Sequence, residues 1–339
     1  MSSVLRPPIE PMLARLAREL PVGDFIYEPK WDGFRCLAFR DGDDLDLRSR
    51  HQRPLARYFP EVVEALRALP ADPVVLDGEL VLPGRGFGAL MGRLHPAASR
   101  VQRLAAEQPA VYMAFDVLEA GGEDLAPRPF AERRARLEAL LDDGRGRVQA
   151  TPATRDAAVA ARWLEQAGRG IDGVVAKPAR APYTPGARTL VKVKRERTAD
   201  CVVAGIRGHG REPIVGALLL GLYDDEDRLV HAGVASSFTR ERRRELLEEL
   251  RDLVIPMEEH PWREGMLLGG GPMGRLRGAA GRWDPATMAL DWVPLRPERV
   301  AEVSYTQVDD HRFRHPARLM RWRPDRDPRS CRVDQLDEA

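Results

Sequence analysis

Two periodicities divide this chain into recognisable elements. Val74-Val75-Leu76-Asp77-Gly78-Glu79-Leu80-Val81 is an apolar run interrupted by an acid–glycine–acid step and bounded by Pro73 and Pro83. That pattern predicts a strand, as does Val111 to Leu118 ahead of Gly121-Gly122. Phe25-Ile26-Tyr27, Ile171 to Lys177 and Leu190 to Lys194 read the same way. Leu137, Leu140 and Leu141 form an apolar stripe against a charged remainder, which predicts a helix over Phe130 to Leu141. A second helix is expected from Thr154 to about Ala167, with Thr154 as its cap, Asp156 in its first turn and Gly168 at its end.

The organisation changes after Lys194. Cys201 to Ile206 and Ala217 to Tyr223 are successive strand patterns, and Leu229 to Val234 follows an acidic turn at 224–227. Thr239 is placed to cap a helix carrying Leu246, Leu247 and Leu250, and Val300 to Tyr305 alternates as a strand. Strands with one helix over about 140 residues suit a small barrel, with a hinge near 195–200. The glycine-rich 264–281 segment lacks a GK[ST] ending and reads as an exposed loop. The fold class expected is α+β, with antiparallel sheets and helices in a first domain at 1–196. A barrel domain follows at 197–329, and a tail at 330–339.

Composition adds exclusions more than assignments. The chain has 339 residues, a formal net charge of +1 and three cysteines, Cys36, Cys201 and Cys331. Near-neutral total charge leaves only local basic groups, at 192–197, 240–244 and 311–329, to meet nucleic acid. Three scattered cysteines make neither a disulfide framework nor a zinc module, and the histidines form no HExxH pattern. No apolar run is long enough to span a bilayer. A cytoplasmic monomer without membrane contact is the expectation.

Candidate chemistry centres on Glu28-Pro29-Lys30-Trp31-Asp32-Gly33-Phe34-Arg35, placed just after the Phe25–Tyr27 strand. A lysine becomes a nucleophile when its amine is neutral and its neighbours aim it. Asp32 offers a carboxylate, Gly33 a close backbone approach, and Arg35 a fork for phosphate or ribose oxygens. Asp77 and Glu79 share one strand face, as do Lys192 and Lys194.

This segment resembles the nucleotidyltransferase motif of ATP-dependent DNA ligases, RNA ligases and mRNA capping enzymes. Ser49-Arg50, Leu76-Asp77-Gly78-Glu79-Leu80, Phe115-Asp116, Asp172 to Lys177 and Val191-Lys192-Val193-Lys194 resemble the following motifs in order. Arg314 to Asp325, containing Arg-His-Pro and Arg-Trp-Arg-Pro-Asp, resembles the terminal motif carried on an OB domain. The resemblance implies an adenylation domain followed by an OB-fold β-barrel, with Lys30 attacking the α-phosphate of ATP. It implies nucleotide binding by Glu28, Arg35, Arg50, Glu79, Phe115 and Lys177, the Phe115 ring stacking on adenine. Lys192 and Lys194 would stabilise α-phosphate charge, and Arg318, Arg321, Arg323 and Asp325 would orient the pyrophosphate. Glu79 and Asp172 would face a Mg²⁺ ion, for which Mn²⁺ could substitute. Asp172 departs from the glutamate usual in the family and is one methylene shorter.

The activity so implied is sealing of 5′-phosphate/3′-hydroxyl nicks in duplex DNA, in the manner of compact bacterial repair ligases with repair-protein partners. An RNA ligase or GTP-dependent capping enzyme shares the chemistry, and a non-catalytic nucleic-acid-binding protein shares only the basic patches.

Overall fold

The computed structural model describes residues 3–141, 146–167, 170–209, 212–263, 292–309 and 311–336. The chain forms two compact units, Met1–Arg195 and Glu196–Ala339.

The first unit contains strands β1 (Ala14–Ala17), β2 (Phe25–Trp31), β3 (Phe34–Asp41) and β4 (Asp44–Ser49), then helix α1 (Pro60–Arg67) and β5 (Val74–Val81). Helices α2 (Phe87–Met91) and α3 (Ala98–Glu107) lead to β6 (Val111–Ala120) and β7 (Glu123–Asp124). After them come α4 (Phe130–Leu140), β8 (Val148–Ala150), α5 (Ala157–Glu165), β9 (Ile171–Pro178) and β10 (Leu190–Val193). One sheet has the order β1-β10-β9-β2 and the other β4-β3-β5-β6-β7, with β8 added alongside β6. Parallel pairs, β1 with β10 and β6 with β8, make both sheets mixed, where antiparallel sheets were expected. Buried apolar side chains such as Leu47, Phe59, Leu76, Tyr112 and Leu137 form the larger core of this unit.

Lys30 lies inside β2 and not after it, because the ladder to β9 continues through Pro29↔Val174 and Lys30↔Gly173. Proline is tolerated there because β2 is an edge strand. The Tyr27 backbone turns outward to exchange hydrogen bonds with Thr154, and Pro29, two residues on, faces the same side.

Helix α5 is capped by Asp156, whose carboxylate accepts the Ala158 N–H at 2.8 Å. Thr154 sits outside the helix and accepts from the Asp156 N–H instead. The predicted cap is therefore shifted by two residues, since the Thr154 backbone is committed to Tyr27. Gly168 lies outside the described residues.

The second unit contains β11 (Arg197–His209), β12 (Glu212–Tyr223), β13 (Leu229–Ala235), α6 (Arg240–Leu250) and β14 (Trp292–Tyr305). Short β15 (Val308–Asp309) and β16 (Arg312–Phe313) pair with each other, and β17 (Arg318–Trp322) closes the series. The main sheet runs β13-β12-β11-β14-β17. A parallel bridge joins Ala235, at the end of β13, to Ala317, just before β17. Thr239 caps α6 by accepting the Arg242 N–H. Residues 330–336, expected as a tail, pack into the unit: Cys331 and Leu336 are buried, and the Cys331 carbonyl accepts the Tyr223 N–H. The 264–281 segment lies outside the described residues.

Candidate active site

Two close backbone approaches shape the surroundings of Lys30. A Cβ on Gly33 would stand 2.1 Å from the Leu80 carbonyl, so only glycine lets the β2–β3 connection lie against β5. Gly173, opposite Lys30, has φ +142° and would place a Cβ 2.1 Å from the Val193 carbonyl. These two glycines let β5 and the end of β10 crowd the lysine.

The Lys30 ammonium meets Asp172 Oδ2 at 2.6 Å, and Lys194 meets the same oxygen at 2.7 Å. Asp172 is 6% exposed, and its Oδ1 is buried without a hydrogen-bond partner. One short carboxylate thus holds two cations, Lys30 in β2 and Lys194 just past β10. Half-buried Glu79 accepts the Gly33 N–H at 3.2 Å. Burial pushes its carboxyl up to about 7, against the opposing pull of Lys30 and Arg35. Lys192 is held below the ordinary lysine range by burial and by neighbouring Lys194 and Lys30, with Arg50 adding to the same effect. Arg50 itself is exposed in the turn after β4.

A second cluster begins two residues earlier on β2. Glu28, 2% exposed, receives Lys177 at 2.7 Å and Arg134 at 3.1 Å. Burial raises the Glu28 carboxyl and lowers the Lys177 ammonium, while their contact opposes both shifts. Lys177 also donates to the Phe115 carbonyl at 2.8 Å and stands 4.4 Å from that ring's centroid. This lysine is enclosed, at 4% exposure.

Phe115 owes its position to a bulge. Asp77 pairs with Asp116 and Gly78 with Ala114, which leaves Phe115 as the extra residue of β6. Bulges re-aim a side chain out of the regular alternation, and Phe115 is only half-buried in an otherwise buried strand. The Arg35 guanidinium lies 4.4 Å from its centroid. Arg35 Nε and Nη2 both bind Asp77, each at 2.6 Å. Burial works against its charge, yet Asp77 carries Arg35 above the ordinary guanidinium value. Two nitrogens of the fork read as a phosphate or ribose ligand, Nε and Nη2, therefore lie on Asp77. Trp31 donates to Thr151 Oγ1 at 2.7 Å and packs against Val81, Val111 and Met113.

Several residues with no signal in the sequence complete the site. Arg133 and Arg134 lie on the supposedly solvated side of α4, yet are 1% and 6% exposed. Arg133 binds Asp116 through two hydrogen bonds, and Arg134 joins Glu28 to the Thr151 carbonyl. Tyr183, in an unpatterned loop, donates to Asp77 at 2.7 Å. Their targets are distant in sequence, so no local period marks them.

The terminal-motif residues make contacts within their own unit. Arg321 pairs with Glu302 at 2.6 Å, and Arg323 with Asp200 at 3.1 Å and Asp325 at 2.8 Å. The Arg323 guanidinium holds Asp325 down to about 2. Arg318 is exposed, 3.9 Å from Glu196. Arg242 and Arg243 on α6 are engaged with Glu245, Glu249 and backbone carbonyls.

Among the described residues, no helix is long and apolar enough to cross a membrane. Residues 11–194 match the ATP dependent DNA ligase domain, and residues 211–326 match the ATP dependent DNA ligase C terminal region. DNA ligase C2 of Mycolicibacterium smegmatis is 49% identical, covering 98% of this chain and 95% of its own. DNA ligase C of Mycobacterium tuberculosis is 46% identical over 99% of this chain and 96% of its own. A solved Lig E DNA ligase shares the fold at a TM-score of 0.55 and 17% identity, covering 93% of this chain and 99% of that one. A nucleotidyltransferase-like lysine site and matches spanning both units agree: the chain belongs to the ATP-dependent DNA ligases and joins DNA through adenylation.

Proposed function

We propose that Lys30 is the residue adenylated, and that the protein seals 5′-phosphate/3′-hydroxyl nicks in duplex DNA. The observation that carries this reading is the Asp172 oxygen shared by Lys30 and Lys194. It holds the nucleophile beside a second cation suited to the α-phosphate. Lys30 Nζ, once neutral, attacks the α-phosphorus of ATP, forming the N–P bond as the bond to pyrophosphate breaks. AMP then passes to the 5′-phosphate of the nick and Lys30 is released. The adjacent 3′-hydroxyl attacks that phosphate, and AMP leaves. Lys192 and Lys194 supply positive charge where oxyanion charge grows. Phe115 offers the base a surface, and Arg318, Arg321, Arg323 and Asp325 are assigned to pyrophosphate orientation.

The donor set fits a divalent cation held largely by water and phosphate. Asp172 Oδ1 is buried and unpaired, and Glu79 lies in the same electrostatic neighbourhood as Lys30. Among the described residues no three potential ligands converge as a cage. Mg²⁺ commonly uses only one or two carboxylates and keeps its waters. When bound, it offsets phosphate charge during transfer.

For the second unit we propose an OB-fold barrel. The strand order β13-β12-β11-β14-β17, with the Ala235–Ala317 bridge between its outer strands, supports closure.

Incubation with ATP and Mg²⁺ should add one adenylate, mapped by peptide mass to Lys30 and absent from Lys30→Ala. The wild-type protein should then seal nicked DNA faster than a matched RNA nick at fixed salt. An adduct that persists in Lys30→Ala would assign another nucleophile, and preferential labelling by GTP would move the chemistry to the capping branch.

A further inference from the structure

We infer that Tyr183 is a positioning residue for ATP, acting through a buried ring that presses Arg35 against Phe115. The inference rests on the proposed role of Phe115 as the surface for the base. Tyr183 donates its hydroxyl hydrogen to Asp77 Oδ2 at 2.7 Å and accepts the Met12 N–H at 3.3 Å. Asp77, fully buried, takes Nε and Nη2 of Arg35. Arg35 Nη2 returns to the Met12 carbonyl at 3.5 Å, which closes the ring. The guanidinium so fixed lies 4.4 Å from the centroid of Phe115, the bulged residue of β6.

Each member has a physical reason for its part. Asp77 is buried, and its oxygens accept three hydrogen bonds from Arg35 and Tyr183. Tyr183 is 6% exposed and Met12 3%, so water competes poorly for their hydrogen bonds. A planar guanidinium favours the face of an aromatic ring, and a fixed one restricts the ring against which it lies. Removing the Tyr183 hydroxyl leaves Asp77 with Arg35 alone and leaves the Met12 N–H unpaired. Arg35 then gains freedom, and Phe115 loses a fixed neighbour.

Tyr183→Phe deletes the hydroxyl and keeps the ring volume. Single-turnover self-adenylation of the full chain should show the half-saturating ATP concentration raised about 10-fold, ~1.4 kcal/mol. The maximal rate, and the sealing of a pre-adenylated nick, should stay within about 2-fold, a change of under ~0.5 kcal/mol. Phe115→Leu tests the underlying surface in the same assay, and should raise the half-saturating concentration with little further effect when Tyr183→Phe is added. If Phe115→Leu leaves ATP binding unchanged, the base-surface reading falls and takes the inference with it. If Phe115→Leu weakens ATP binding while Tyr183→Phe does not, only the role of Tyr183 is overturned. Equal loss in maximal rate and in nick sealing would also overturn it, marking Tyr183 as general scaffold.

Discussion

At the residue scale, Asp172 is where charge and geometry are most tightly coupled. Its single oxygen within 2.7 Å of both Lys30 and Lys194 shows that the shorter side chain does reach the nucleophile. The missing methylene is offset by Gly173, which admits the end of β10 to van der Waals distance. Asp172→Asn preserves shape and removes the charge, so two ammonium groups would face a neutral amide. Breaking a buried pair by removing one partner costs about 3–5 kcal/mol. Single-turnover adenylation should therefore fall by more than about 100-fold, equivalent to ~2.7 kcal/mol of lost positioning, while circular dichroism remains native. A variant that adenylates at the wild-type rate would remove Asp172 from the alignment of Lys30.

At the element scale, α4 shows how one helix carries two kinds of arginine. Arg133 is buried against Asp116 and also donates to the Arg128 and Ala181 carbonyls. Arg136, one turn on, is exposed. Arg133→Met would leave Asp116 buried without its counter-charge and should destabilise the protein by about 3–5 kcal/mol. Arg136→Ala should change stability by no more than about 0.5 kcal/mol. Urea unfolding followed by circular dichroism gives both values, and similar midpoints for the two variants would show that burial on this helix does not govern stability. The helix was legible from Leu137, Leu140 and Leu141, and α6 from Thr239 with Leu246 and Leu250. The buried arginines were not legible, because their partners Asp116 and Glu28 belong to other elements. The Thr154 cap failed for the same reason: a bridge to Tyr27 had taken its backbone.

At the scale of the whole molecule, buried titratable groups in the two units carry opposite signs toward acid. In the second unit His231 and His260 are buried, and burial lowers them to about 3 and about 4, with Arg312 and Arg207 adding to the effect on His231. Both are neutral when folded, whereas an unfolded histidine takes a proton below about 6.5. Their contribution is therefore complete above pH 6.5 and is lost as pH falls toward their folded values. At pH 5 the loss is ~2 kcal/mol per histidine, the free energy of 1.5 pH units. Glu79 in the first unit has the other sign, since its raised carboxyl favours the folded state as pH falls from about 7 toward the ordinary carboxylate range. Trp262 packs against both histidines and reports on the second unit. Its fluorescence-monitored urea midpoint, read in a variant with the other tryptophans replaced by phenylalanine, should drop between pH 7.5 and pH 5. An unchanged midpoint would mean that these rings already carry their protons when folded.

Sequence alone determined the elements whose pattern is local. The strand at Val74–Val81, the Thr239-capped helix and the shared faces of Asp77 with Glu79 and Lys192 with Lys194 follow from periods of two or 3.6 residues. Lys30, Asp172 and Phe115 stand in segments that resemble the motifs of ATP-dependent DNA ligases, a family that this chain matches over residues 11–194 and 211–326. Tertiary structure alone decided which charges meet. Asp172 holds Lys30 of β2 and Lys194 just past β10, Arg35 pairs with Asp77, and Lys177 is enclosed with Glu28. It also decided that Phe115 sits on a bulge and that residues 330–336 pack into a core. The reason is physical: periodicity records which side of an element faces the core. Ion pairs, bulges and close glycine contacts depend on register between segments separated by tens to hundreds of residues, and no local pattern encodes that register.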